Sequence, residues 1–185
     1  SCAFVNGACV SVLGSTHFEM WDCTSSGDTG NNDAANAGDT VFIKGGSDNF
    51  RVMRHTFLGR AAHTALIIQG VTFGDPVIDG GEIFDCNITN EWAGGLQVLG
   101  GSTNIHVHWN RITGVGTNPS IITPPGSREA YEHASGGNLV EFNHIYANAW
   151  SGLSCQTLTF GGEMELCANN VFRNNTIVGN GAWGM

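Results

Sequence analysis

The chain has 185 residues, of which 27 are Gly and only 12% are charged, and its formal net charge is −9. A chain of this length most often forms one domain, and a surface with so few basic residues argues against a nucleic-acid partner, because phosphate binding needs positive charge. No apolar run approaches the roughly 20 residues that cross a bilayer, so we also expect no membrane partner.

A sequence motif repeats along the chain, and its clearest copy is residues 100–113. Apolar residues at Ile105, Val107 and Ile112 flank a corner at Asn110, which indicates two short strands joined by a tight turn. Five further segments align with this copy at Cys23, His55, Cys86, Asn143 and Asn175. These register residues lie 24 to 33 positions apart, a period typical of a solenoid.

In chain order, the sequence predicts short strands that break at Gly, Asn and Ser, and no segment shows a helical period. First strands of the repeats are predicted at residues 10–12, 40–44, 65–69, 95–101, 119–123 and 152–156. Second strands are predicted at residues 49–54 and 104–109, and a third strand at residues 111–113. Insertions after a first strand are predicted at residues 71–79, 124–137 and 157–169.

A polar loop is predicted at residues 25–39, where a third strand returns to the next first strand. Its carboxylates at Asp28, Asp33 and Asp39 are suitable ligands for Ca²⁺, the one cofactor that the sequence suggests. A solvated loop without a metal fits the same residues.

The repeats resemble those of the right-handed parallel β-helix proteins, the pectate-lyase-like superfold, over about residues 8–185. Asn110, Asn143 and Asn175 match the inward Asn ladder at the turn between the second and third strands of that family. The resemblance implies an all-β solenoid of about six coils, with three short strands per coil and a ladder that is partial, because Cys23, His55 and Cys86 depart from it. Stacked amides suit this position, since each can donate to and accept from its copy.

We expect a single β-helix domain over residues 1–185. The chain ends as a new first strand begins, near Trp183, and an open solenoid end normally needs a cap. This predicts a fragment of a longer solenoid, whose open end would contact the rest of a longer chain or another subunit.

Six cysteines leave disulfides, metal ligands and buried thiols open. Two pairs are close enough in sequence to close short loops: Cys2 with Cys9 and Cys155 with Cys167. Cys23 and Cys86 stand two coils apart, roughly 9 to 10 Å, which is too far for a disulfide or for one tetrahedral Zn²⁺. We interpret them, with His55, as a stack of buried side chains.

In the family that the chain resembles, substrates lie along the face of the first strands. The matching outward residues are Ser11, Lys44, Gln69, Gln97, Thr123, Ser154 and Gln156. This row is polar and almost uncharged, which suits hydroxyl-rich ligands and also fits an ordinary solvated face. The residues predicted to bind substrate are Gln69, Gln97, Gln156, Glu91 and Trp92.

Loops beside this face supply candidate catalytic groups. A polysaccharide lyase or epimerase must neutralise a uronate carboxylate, remove its α-proton and protonate the leaving oxygen. The candidates for these roles are, in that order, Arg60 or Arg128, Lys44 or His63, and Tyr131 or His133. Hydrolysis would need two facing carboxylates, for which Glu91 with Glu129 or Glu132 is the available pair.

The face of the second strands carries two outward columns of charge. One column is Glu19, Arg51, Glu82 and His106, and the next is His108, Glu141 and Arg173. Opposite charges at strand spacing support pairing, so we interpret these columns as a surface charge ladder.

The leading hypothesis is an extracellular, carbohydrate-active β-helix, lyase-like or epimerase-like, with a polysaccharide partner along the first strands. The alternative is a non-catalytic structural or glycan-binding module of a larger surface, fibre or adhesin protein. Reactive residues in loops beside one face favour an enzyme, whereas the uncharged face and the few basic residues favour a module.

Overall fold

The computed structural model describes residues 2–5, 10–26, 41–58, 64–70, 76–90, 94–116, 131–133, 135–160, 163–165 and 167–181. It describes the backbone alone at residues 2–5, 26, 132–133, 158–160 and 163–165. These ranges contain 21 strands and no helix. They therefore offer no helix able to span a membrane.

Three parallel sheets contain nearly all of the strands. The first sheet consists of β2 (Val10–Leu13), β5 (Val41–Lys44), β8 (Thr64–Gln69), β11 (Gly94–Leu99), β14 (Tyr131–His133) and β17 (Leu153–Cys155). The second consists of β3 (Glu19–Trp21), β6 (Phe50–Met53), β9 (Ile78–Phe84), β12 (Ser102–His108), β15 (Leu139–Glu141) and β20 (Val171–Arg173). The third consists of β1 (Cys2–Val5), β4 (Cys23–Ser26), β7 (Thr56–Leu58), β10 (Asn87–Thr89), β13 (Arg111–Thr113), β16 (His144–Tyr146) and β21 (Thr176–Val178). A separate antiparallel hairpin joins β18 (Leu158–Phe160) to β19 (Glu163–Glu165).

The chain visits the three sheets in turn, and each strand pairs in parallel with the equivalent strand of the next coil. This is the right-handed parallel β-helix that the resemblance implies, and the fold class is confirmed. The register is confirmed too: Val52 pairs with Met20 and Ile83, and Phe57 pairs with Ser25 and Ile88. The predicted apolar columns are therefore the inward columns.

The core forms because each strand alternates inward apolar and outward polar residues. In β6, for example, Phe50 and Val52 have no exposed surface, while Arg51 between them is exposed. Inward residues of all three sheets join one hydrophobic cluster. Phe50 lies directly against Gly81 of the next coil, where a Cβ would meet its ring. That glycine provides the space for the largest inward side chain of β6.

Most of the described corners contain a residue in the left-handed region, with φ between 48° and 79°. At the second strands these residues are His17, Asn49, Gly80, Asn104, Gly137 and Asn169, of which Gly80 and Asn104 lie within β9 and β12 and the others precede their strands. Before the third strands they are Asp22, Arg54, Asp85, Trp109, Phe142 and Asn174, and after them Asn90, Gly114, Ala147 and Gly179. Within one coil the positions are five residues apart, so the corners have their own sequence period.

Within the described residues, the position after each of these left-handed residues is the inward one, and in the last two coils it is Asn. The predicted ladder of Asn110, Asn143 and Asn175 is confirmed, and two ladders that the sequence reading missed occupy the other corners: Asn138 with Asn170, and Asn148 with Asn180. Asn143 shows the pattern. Its Oδ1 accepts from the main-chain N–H and the Nδ2 of Asn110, both at 3.0 Å, and its Nδ2 donates to Val107 O at 2.9 Å. The side-chain amides thus form hydrogen bonds with main-chain N–H and C=O groups at the corners, where strand pairing does not supply a partner.

The cysteines follow the sequence reading only in part. The Cys155–Cys167 disulfide is confirmed, with its Cα atoms 5.8 Å apart. Cys23, interpreted as a buried thiol, is disulfide-bonded. Cys86 is a buried free thiol, and burial raises its pKa to about 12, which keeps it in the unreactive protonated form. The predicted pairing of Cys2 with Cys9 lies outside the described side chains.

His55 takes the place of an amide in the ladder column and is fully buried. Its Nε2 lies 2.6 Å from Ser25 Oγ, and its ring packs on Phe57 with the centroids 4.2 Å apart. Burial lowers the pKa of His55 from 6.5 to about 4. The corner therefore holds a neutral imidazole at ordinary pH.

Acid should destabilise the protein through His55. Its folded pKa lies below its unfolded value, so its contribution to stability is present above pH 6.5 and is lost as the pH falls towards 4. We expect this residue to account for a loss of about 2 kcal/mol in the free energy of unfolding between pH 7.5 and pH 5. Urea unfolding at both pH values measures it, and His55→Asn, which restores an amide, should show a loss smaller by that amount. An equal loss in both proteins would contradict the assignment.

Candidate functional site

The outer face of the first sheet carries Lys44, Gln69 and Gln97 of the predicted polar row, but it is not polar throughout. Phe42, Ile67 and Leu99 form an apolar cluster there, and the outward side chains of Ile67 and Leu99 are 3% and 4% exposed. Gln97 pairs with Ile67, whereas Gln69 pairs with Leu99, so the two glutamines stand in different columns. Both faces of β8 and β11 are buried, which explains why these strands are almost continuously apolar.

Between β11 and β17 the first sheet contains β14, whereas the strand predicted at residues 119–123 lies outside the described residues. Tyr131 pairs with Leu96 and Leu153 in the inward column, and its side chain is fully buried in the core. Burial raises the pKa of Tyr131 well above 10. The phenol therefore faces the core, away from any surface where it would protonate a leaving group. His133, whose backbone alone is described, pairs with Val98.

Lys44 lies on the outer face of β5 beside Gln69, with its Nζ 4.3 Å from the centre of the Phe42 ring. Gln156 follows β17 and is half-buried. The structure therefore brings together Lys44 and Gln69, and separates both from the inward Tyr131. The remaining candidates lie outside the described residues: Asp28, Asp33, Asp39, Arg60, His63, Glu91, Trp92, Arg128 and Glu129.

The outer face of the second sheet carries the two predicted columns of charge, and their register is confirmed. Arg51 pairs with Glu19 and Glu82, and His106 follows Glu82 in the same column. The neighbouring column continues from His108 to Glu141 and Arg173. We call this surface, defined by Glu19, Arg51, Glu82, His106, His108, Glu141 and Arg173, the charged face.

Diagonal pairs link the two columns of the charged face. His108 Nε2 lies 3.0 Å from Glu82 Oε1, and His106 Nε2 lies 3.0 Å from Glu141 Oε1. The Arg173 guanidinium, whose Nε donates to Glu141 at 2.6 Å, lowers the pKa of Glu141, and His106 adds to the effect. Glu141 is thus a carboxylate at ordinary pH. The other carboxylate oxygen of Glu82, Oε2, lies 3.4 Å from Arg51 Nε.

The two histidines lie side by side because they are separated by one inward residue, Val107, on the same strand. Their rings stack with the centroids 3.9 Å apart, and Phe84 stacks on His108 at 5.2 Å. The His106 and His108 side chains are 35% and 14% exposed. The sequence signal for the pair was the His-Val-His alternation, which was interpreted only as part of a charge ladder.

A groove of about 560 Å³ opens beside the first column. Its lining residues are His17, Glu19, Asn49, Phe50, Arg51, Gly80, Gly81, Glu82, Asn104 and His106. Gly80 and Gly81 are among these lining residues, so the backbone of β9 forms part of the groove wall. Carboxylates, amides, imidazoles and a guanidinium surround it, and together they can donate and accept hydrogen bonds.

Aromatic rings are exposed along the corner that follows the second strands. Trp109 is 59% exposed and Phe142 38%, and their rings stack with the centroids 4.7 Å apart. Trp21 is 54% exposed, with the Arg54 guanidinium 5.6 Å from its ring centre. Exposed aromatic rings therefore border the charged face on the side opposite the groove.

Neither a family model nor a curated protein nor a solved structure matches this chain. What the site does is therefore inferred from its geometry.

Proposed function

We propose that this protein is a glycan-binding β-helix that holds a neutral, hydroxyl-rich polysaccharide along its charged face. The observation that carries the proposal is the open groove beside Gly80 and Gly81, lined by paired hydrogen-bonding side chains. Concave sites with a few convergent polar groups are where ligands usually bind.

The chemistry of the lining suits sugar hydroxyls. Each hydroxyl both donates and accepts, and the groove offers acceptors at Glu19 and Glu82, donors at Arg51, and both at Asn49 and Asn104. The coils repeat every 4.8 Å or so along the axis. A pyranose unit in an extended chain advances by a similar distance, so successive sugars would meet successive coils.

The aromatic border supports the same ligand class. Apolar faces of sugar rings pack on exposed aromatic rings, and Trp109 and Phe142 present a stacked pair next to the charged face. A polyanionic glycan fits less well, because the net charge of −9 would repel it.

We place the protein outside the cell, as a module of a larger surface, fibre or adhesin protein. The disulfides at Cys23 and Cys155–Cys167 support an oxidising compartment. A lyase-like or epimerase-like activity stays a prediction from the resemblance. Among its candidate catalytic residues with described side chains, Lys44 lies on an outer face and Tyr131 in the core.

Arg51→Ala should weaken the binding of a neutral polysaccharide by about tenfold, because it removes a charged donor from the groove. Affinity electrophoresis against neutral and uronate-containing polysaccharides measures the effect. Arg111→Ala, at an exposed arginine of β13 in the third sheet, is the matched control and should bind as the wild type does.

Lys44→Ala in the same assay tests the first sheet as the binding face. Equal weakening by Lys44→Ala, or no binding of any neutral polysaccharide by the wild type, would overturn the proposal. Absorbance from unsaturated products would instead support a lyase.

A further inference from the structure

We propose that the charged face contains a binding site for a divalent transition-metal ion such as Zn²⁺, with Glu82, His106 and His108 as the ligands. The proposal rests on the placement of these three side chains and does not depend on glycan binding.

The strand geometry brings the three ligands together. His106 and His108 point outward from the same strand, and Glu82 stands directly beside His106 on the adjacent strand β9. One ligand atom from each residue lies within 4.8 Å of the other two. Bonds of about 2.0 to 2.2 Å to one ion require these atoms to move closer by roughly 1 Å, which rotation of the side chains on an open face provides.

The contacts in the structure already couple two of the ligands. His108 Nε2 and Glu82 Oε1 lie 3.0 Å apart, and the two atoms would become neighbouring ligands of a single ion. The His106 and His108 rings stack with their centroids 3.9 Å apart, which keeps the two histidines next to one another on the open face.

A carboxylate outside the ligand set orients His106. Glu141 Oε1 lies 3.0 Å from His106 Nε2, which leaves Nδ1 as the ring nitrogen for the metal. A carboxylate on the second nitrogen of a ligating histidine is the usual support in metal sites, since it fixes the ring. Arg173 holds Glu141 in turn, and Arg51 is the cation that faces Glu82.

Two nitrogen ligands and one oxygen ligand select the ion. Ca²⁺ and Mg²⁺ prefer oxygen alone, whereas imidazole suits Zn²⁺, Cu²⁺ and Ni²⁺. Three protein ligands leave at least one coordination position open, and Glu82 and His106 also line the groove. The open position would face that groove, where water or a ligand oxygen can reach the ion.

Isothermal titration of the metal-free protein with ZnCl₂ tests the site, and the Co²⁺ visible spectrum gives a second readout that reports nitrogen coordination. We expect His108→Ala to weaken the Zn²⁺ binding of this site by about 100-fold and to remove the Co²⁺ signal of one equivalent. His144→Ala, at an exposed histidine on the third sheet, is the matched control and should change neither readout. Circular dichroism of each variant verifies that it is folded.

Three results would overturn the site. The first is a wild-type protein that binds no Zn²⁺ at millimolar concentration. The second is a His108→Ala variant, folded by circular dichroism, with unchanged affinity and stoichiometry. The third is a loss of the same size in His144→Ala, which would show that the ion binds elsewhere. Calcium chloride in place of ZnCl₂ should give no heat from this site.

Discussion

Asn143→Ala should lower the free energy of unfolding by about 4 kcal/mol. The amide of Asn143 accepts two hydrogen bonds from Asn110 and donates to Val107 O and to Asn175 Oδ1. Alanine would leave the main-chain N–H of Asn110 and the carbonyl of Val107 buried without these partners. Each buried group that loses its partner costs about 1 to 3 kcal/mol, and the loss also divides a connected ladder.

Urea unfolding followed by circular dichroism measures this effect. His144→Ala is the control at the neighbouring, exposed position and should change the free energy of unfolding by no more than about 0.5 kcal/mol. A loss below about 1 kcal/mol for Asn143→Ala would mean that water replaces the amide, and the ladder would then contribute little to stability.

Gly81→Ala should cost about 3 kcal/mol, although it adds a single methyl group. A Cβ at this position would lie 2.5 Å from Phe50 Cζ and 2.7 Å from Phe50 Cδ1. Phe50 is fully buried, so its ring has no free space into which it can move. Gly179→Ala is the comparison, because its Cβ would meet nothing within 4 Å and only its left-handed φ of 61° costs energy, about 1 kcal/mol.

A double-mutant cycle isolates the steric origin of the effect. Phe50→Leu alone should cost about 1 to 2 kcal/mol through lost packing. In the double variant the smaller side chain gives room to the new methyl group, so the combined loss should fall short of the sum by at least about 1 kcal/mol. Strict additivity of the two losses would show that Gly81 is required for its backbone conformation and not for space.

The sequence predicts the parts of the fold that lie close to a register residue. The residues equivalent to Ile112 and Val107 stand at fixed sequence distances from the register residue of each coil. The inward columns and the charged face therefore follow directly from the alignment. The Asn ladders at the other corners were equally visible, since Asn138, Asn143 and Asn148 stand five residues apart. The period of 24 to 33 residues between coils does not contain this five-residue spacing, so it does not predict these two ladders.

Segments on the far side of an insertion were not predictable in the same way. The number of residues between Lys44 and its register residue, His55, differs from the number between Gln69 and Cys86. Counting back from the register residue therefore does not show which residues of neighbouring first strands pair. The sequence therefore predicts that Gln69 and Gln97 face outward, but not that Gln97 pairs with Ile67 and Gln69 with Leu99. The strand Tyr131–His133 was likewise not predicted, because it lies within the insertion expected at residues 124–137.

The parallel pairing of all three sheets also has a mechanical consequence. Every backbone hydrogen bond between coils points along the axis of the helix, and the Asn ladders point the same way. A force that pulls two adjacent coils straight apart must therefore break the bonds of three strands and their corners at once. The rod should be stiff under axial tension, whereas a force applied to one end of the chain would peel the strands away one after another.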